Sequence, residues 1–94
     1  MPENKPSVEI EVVISNTQGL HARPVMRFVD VASRFGSAVR VRKDDLDVDG
    51  KSPMEMMLLE AVQGTTLRVL AIGEDAEEAV RDLAELVKNK FGEE

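Results

Sequence analysis

The chain has 94 residues, enough for one domain and too few for two, with 18 acidic against 12 basic residues and a formal charge of −6. That balance excludes a generic nucleic-acid binder, which needs a basic face to displace counterions, and disfavours an anionic membrane surface. No cysteine and a single histidine exclude disulfides, thiolate metal sites and a multi-histidine metal site.

Residues 1–7 read as a polar tail with two prolines, and they lack the apolar region of a signal peptide. Val8 to Ser15 alternates, with Val8, Ile10, Val12 and Ile14 on one face, as a half-buried strand does. Asn16 to Gly19 is a loop. Ala22, Val25, Met26, Val29, Val31, Ala32 and Phe35 then recur at three- and four-residue spacings, which predicts a helix from Ala22 to Phe35. Pro24 falls in its first turn, and Gly36 is placed for a left-handed cap.

Ala38 to Arg42 alternates again, and Leu46 and Val48 form a short strand that ends at the turn pair Asp49-Gly50. Ser52-Pro53-Met54-Glu55 reads as a capping box, opening a helix that runs to about Val62. Thr65 to Ile72 is a fourth strand, with Leu67, Val69 and Ala71 on one face. Asp75-Ala76-Glu77-Glu78 reads as a second capping box, with Asp75 as cap. The inner stripe of the last helix would be Ala76, Ala79, Val80, Leu83, Leu86, Val87 and Phe91, with Gly92 as stop. The order β-α-β-β-α-β-α in one α+β domain over 1–94 predicts an antiparallel sheet covered on one face by three helices. Glu9, Glu11, Arg40, Arg42 and Arg68 would face solvent on its other side. No apolar run reaches the roughly 20 residues that span a bilayer, so a cytoplasmic protein is expected.

The segment Gly19-Leu20-His21-Ala22-Arg23-Pro24 carries the chemistry. His21 stands where a loop enters a helix, and the first helical N–H groups lack intrahelical partners there. With the helix dipole they form an anion site. Arg23 adds a permanent cation whose planar fork suits phosphate oxygens. Pro24 stiffens the first turn. The positive surroundings favour a neutral imidazole, the nucleophilic form.

This segment resembles the active-site signature of HPr, the histidine-containing phosphocarrier of the bacterial sugar phosphotransferase system. Asp49-Gly50-Lys51-Ser52-Pro53-Met54 resembles the regulatory serine segment of that family. Gly64-Thr65-Thr66-Leu67, Gly73-Glu74-Asp75-Ala76 and the closing helix also fit, so the likeness spans Val8 to Phe91. The resemblance implies an HPr-like open-faced β-sandwich with sheet order 1-4-2-3. It implies that His21 takes a phosphoryl group on Nδ1 from phospho-enzyme I and gives it to a histidine of an EIIA-type domain, with Arg23 stabilising the group in transfer. Such a relay, rather than an independent enzyme, needs neither cofactor nor metal and would work as a monomer.

The resemblance further implies that Ser52 is the site modified by HPr kinase/phosphorylase. Pro53 and Glu55 depart from the regulated pattern, in which an apolar and a small residue are expected. It also places Met54 and Met57, with Leu20, on an exposed docking patch, where flexible Met suits several partners. Lys51 and Arg27 would add cationic rim charges. The alternative function is a regulatory docking module of the same fold, in a nitrogen-type phosphotransferase branch or with a transcription-factor or kinase partner. An acyl carrier is disfavoured, because Ser52 lies in Lys-Ser-Pro and the strand content is wrong.

Overall fold

The computed structural model describes residues 5–93. Four strands, β1 (Ser7–Val13), β2 (Ala38–Lys43), β3 (Leu46–Asp49) and β4 (Thr66–Ile72), form one sheet in the order β1-β4-β2-β3. Every pairing is antiparallel. Val12, Val39, Val41, Val48, Leu67, Val69 and Ala71 point into the core, as the alternation predicts. Ser7 already belongs to β1, so the polar tail is shorter than its sequence suggests; residues 1–4 lie outside the described residues.

The opposite face is polar. Arg68, paired with Glu11 across the sheet, reaches Glu9 at 3.1 Å and Glu11 at 3.5 Å. Asp47 receives Arg40 and Arg42, each at 3.0 Å. Both arginines are committed to the sheet's own carboxylates, and exposed pairs of this kind contribute little stability.

Three helices cover the inner face: α1 (Ala22–Ala32), α2 (Pro53–Met57) and α3 (Ala76–Lys88). α1 buries Pro24, Val25, Phe28, Val29 and Ala32. Its stripe is therefore centred on Phe28, which the spacing analysis left out, while Met26 is exposed. Each fully buried Leu, Val or Phe of such a stripe stabilises the fold by roughly 1.5–3 kcal/mol.

Several predicted boundaries are corrected. α1 ends at Ala32, not Phe35, because the chain tightens into i→i+3 bonds: Arg34 N–H to Val31 O at 3.1 Å and Phe35 N–H to Ala32 O at 3.3 Å. Gly36 is not a left-handed cap; its N–H is held by Asp75 Oδ2 at 2.9 Å. Asp75 accordingly does not cap α3 with its side chain.

α2 has five residues and stops well before Val62. Leu58 and Leu59 form a turn, and Glu60 takes a positive φ of 46°. Leu59 and Ala61 can then both reach the core. α3 ends at Lys88, and Phe91 is buried beyond it in a short 3-10 turn, Lys90–Gly92.

Candidate functional site

The loop after β1 brings the chain to α1 in one fixed conformation. Gly19 has φ 68°, and a Cβ there would overlap the Ala61 carbonyl oxygen. Leu20 N–H donates to that same carbonyl at 2.8 Å. The histidine loop is thus pinned against the segment between α2 and β4. Leu20 is 6% exposed and packs in the main core, so it does not belong to the exposed docking patch expected of it.

His21 is the N-cap of α1, in extended conformation, and its side chain does not cap the helix. Its carbonyl accepts the first helical bond, from Val25 N–H at 3.1 Å. Pro24 sits in the first turn, where a missing N–H leaves no bond unmade. The ring stays free for chemistry, with 38% of the side chain exposed.

Nε2 of His21 lies 2.8 Å from Oε1 of Glu93. The same Glu93 oxygen accepts a hydrogen bond from Nδ2 of Asn16 at 3.0 Å. That amide also donates to Gly19 O at 2.7 Å, and Asn16 is wholly buried. Both neighbours are acceptors, which fixes the amide with its NH₂ toward them. The hydrogen bond with the His21 ring holds the Glu93 carboxyl below its ordinary value of 4.5, helped by Asn16 and Arg23 against partial burial.

No local pattern in the sequence marks Glu93, Asn16 or their link to His21. Asn16 reads there only as a loop residue. Glu93 stands 72 positions from His21 and carries no local signal.

Thr17, Gln18, His21, Arg23 and Glu93 line one open cavity of about 440 Å³. Arg23 is exposed at the second helical position, beside the histidine. Together they offer a polarised imidazole, a guanidinium and uncapped helical N–H groups, a set suited to a tetrahedral oxyanion. Among the described residues no cluster of His, Cys, Asp or Glu could hold a metal ion.

The remaining predicted residues fall in three places. Arg27, one turn along α1, is exposed, and its guanidinium lies over Gly92: a Cβ built there would stand 3.7 Å from Nη1. Lys51 is not a rim charge beside His21. Its Nζ donates to Phe35 O at 2.7 Å, past the far end of α1, a helix roughly 16 Å long at 1.5 Å per residue.

Ser52 is the N-cap of α2 and accepts Glu55 N–H at 3.2 Å. The reciprocal half of the capping box is redirected. Glu55 Oε1 accepts Asp49 N–H at 2.9 Å, because Ser52 N–H already closes a turn to Asp49 O. Met56 is fully buried, whereas Met54 is 83% and Met57 45% exposed, with Leu58 and Val62 also exposed. The apolar run therefore divides between core and surface.

Residues 8–89 match the family described as the phosphotransferase-system HPr component phosphorylation site. The chain is 46% identical to the phosphocarrier protein HPr of Pseudomonas aeruginosa, over 89% of its own length and 94% of that protein. A crystal structure of HPr from Thermoanaerobacter tengcongensis superposes with a TM-score of 0.89 at 45% identity, covering 93% of this chain and 98% of that one. A dimer structure of HPr from the same organism is similar at TM-score 0.75 and 42% identity, covering 99% of this chain and all of that one. With the open-faced sheet in the order 1-4-2-3 and a histidine at the head of the first helix, these likenesses show that the chain belongs to the HPr phosphocarrier family of the phosphotransferase system.

Proposed function

We propose that His21 accepts a phosphoryl group on Nδ1 from phospho-enzyme I and passes it to a histidine of an EIIA-type domain, in sugar uptake or its regulation. The observation that carries this reading is the imidazole at the N-cap of α1, with Nε2 engaged by Glu93 and Nδ1 in no hydrogen bond among the described residues. Transfer of this kind asks the protein for position and charge stabilisation more than covalent work. Arg23 stabilises the equatorial oxygens, and the unpartnered N–H groups of the helix start face the same charge.

The relay works in the cytoplasm as a monomer, because its partners must reach the His21 face and leave it again. Among the described residues no helix is long and apolar enough to cross a membrane. Met54 and Met57 supply an adaptable apolar docking surface for both donor and acceptor, and Arg27, lying over Gly92, adds a cationic charge near the histidine loop.

The test is incubation with phosphoenolpyruvate, Mg²⁺ and enzyme I. An acid-labile, base-stable phosphate is expected on the wild type and none on His21→Ala. A wild type that takes no phosphate from its cognate enzyme I overturns the relay.

The exposed methionines favour a second reading, a regulatory docking module on the same fold. In that case His21→Ala leaves partner binding intact. We also propose Ser52 as a second phosphorylation site. A phosphate there would sit at a helix start, and the Glu55 carboxylate is drawn toward Asp49. HPr kinase with ATP and Mg²⁺ should yield phosphoserine at Ser52; its absence removes this site for that kinase.

A further inference from the structure

We infer that Glu93 is a positioning residue for His21, fixing the ring as the Nε2–H tautomer and balancing the charge the ring acquires when Nδ1 bonds to phosphorus. The inference rests on the relay reading of His21 and extends it to a residue at the other end of the chain.

The geometry is built rather than incidental. Past α3 the backbone adopts left-handed values at Lys90 and Phe91, each with φ 57°. For a bulky residue such as Phe91 this conformation is costly and persists only where surroundings impose it. Here the ring is 1% exposed in the main core, which anchors the turn. Gly92 N–H to Asn89 O at 3.0 Å and Glu93 N–H to Lys90 O at 2.9 Å close it. Arg27 lies over Gly92. The chain is thereby delivered to the histidine loop, where Glu93 meets His21 Nε2 at 2.8 Å and Asn16 Nδ2 at 3.0 Å.

A carboxylate can only accept, so Nε2 must donate and carry the proton. Nδ1 then holds the free lone pair. In transfer, that pair forms the N–P bond. The donor's bond to phosphorus breaks, and its electron pair leaves with the donor. The Nε2 proton stays, so the phosphorylated ring bears a positive charge next to the Glu93 carboxylate. The same logic orients and stabilises an imidazolium wherever a carboxylate backs a reacting histidine. Asn16, buried and bonded to the same oxygen, restricts where that carboxylate can go.

The experiment uses the full chain with ¹⁵N-labelled histidine, alongside Glu93→Gln and Glu93→Ala, at a pH about 1.5 units above the usual histidine range. Ring ¹⁵N shifts in the wild type should report Nε2–H, and Glu93→Ala should move them toward a tautomer mixture. Glu93→Gln keeps an acceptor and removes the charge. It should retain the tautomer yet slow phosphoryl transfer from enzyme I by roughly tenfold, the low end of the loss seen when the hydrogen-bonded partner behind a metal-ligating histidine is removed.

Unchanged shifts in Glu93→Ala, or a Glu93→Gln that transfers at the wild-type rate, overturn the role. Circular dichroism melting of both variants separates loss of folding from loss of positioning. A wild type that shows the Nε2–H tautomer but takes no phosphate rejects the relay while keeping the contact, so the two failures read differently.

Discussion

Asp75 grips Ser37 across 38 positions of sequence, accepting its N–H at 3.0 Å and also its hydroxyl, while the second carboxylate oxygen takes Gly36 N–H at 2.9 Å. This clasp ties the end of the first helix to the start of the third. The Ser37 hydroxyl and then the Gly36 N–H hold the Asp75 carboxyl below its ordinary value of 3.8, against partial burial. A depressed carboxyl stabilises the fold above its unfolded value, and that contribution fades as pH falls through the folded one.

Asp75→Asn should therefore lower the melting temperature at pH 7 and flatten the acid limb of the stability curve below about pH 4. Thermal unfolding of both proteins from pH 2 to pH 7 checks this. Parallel acid limbs would show that the clasp does not contribute through the charged carboxylate.

Gly19→Ala should destabilise by roughly 1–3 kcal/mol from the backbone conformation alone, with the overlap on Ala61 added. Because the same loop carries His21, phosphoryl acceptance should fall with it. Urea unfolding with a midpoint equal to that of the wild type would contradict the pinned loop.

Leu20 and Met54 should separate packing from docking. Leu20→Ala removes a core side chain and should cost about 2–5 kcal/mol. Met54→Ser, at 83% exposure, should leave stability within about 0.5 kcal/mol and weaken transfer from enzyme I. Equal stability of the two variants would refute the assignment of Leu20 to the core.

Arg23→Ala should fold normally and slow transfer by at least about tenfold, with partial recovery in Arg23→Lys, since a point charge replaces the planar fork. Single-turnover phosphorylation of the three proteins decides it. Full activity of Arg23→Ala would place the charge stabilisation elsewhere.

The period-two alternations of β1, β2 and β4 and the 3.6-residue stripe of α3 were legible because they report side-chain direction, a property of consecutive residues. The placement of Gly19, His21, Arg23 and Pro24 was legible for the same reason: it follows from adjacency to a helix start. The helix ends were not. α1 stops at Ala32 as the chain tightens into i→i+3 bonds, and Asp75, just ahead of α3, captures Gly36 and Ser37 beyond that turn. α2 stops at Met57 because Leu59 and Ala61 must turn back to the core. Side-chain targets also escaped the sequence, as when Lys51 reached the carbonyl of Phe35 instead of the histidine.

The sequence by itself determined the element order, the two-layer arrangement and a histidine at a helix N-terminus, since these depend on local periodicity and capping chemistry. Only the tertiary structure decided which groups meet that histidine. Glu93 reaches it through a buried Phe91 and a left-handed turn, and Asn16 through a loop closed on Gly19. Such contacts depend on where packing brings distant backbone together, and no window along the chain encodes that.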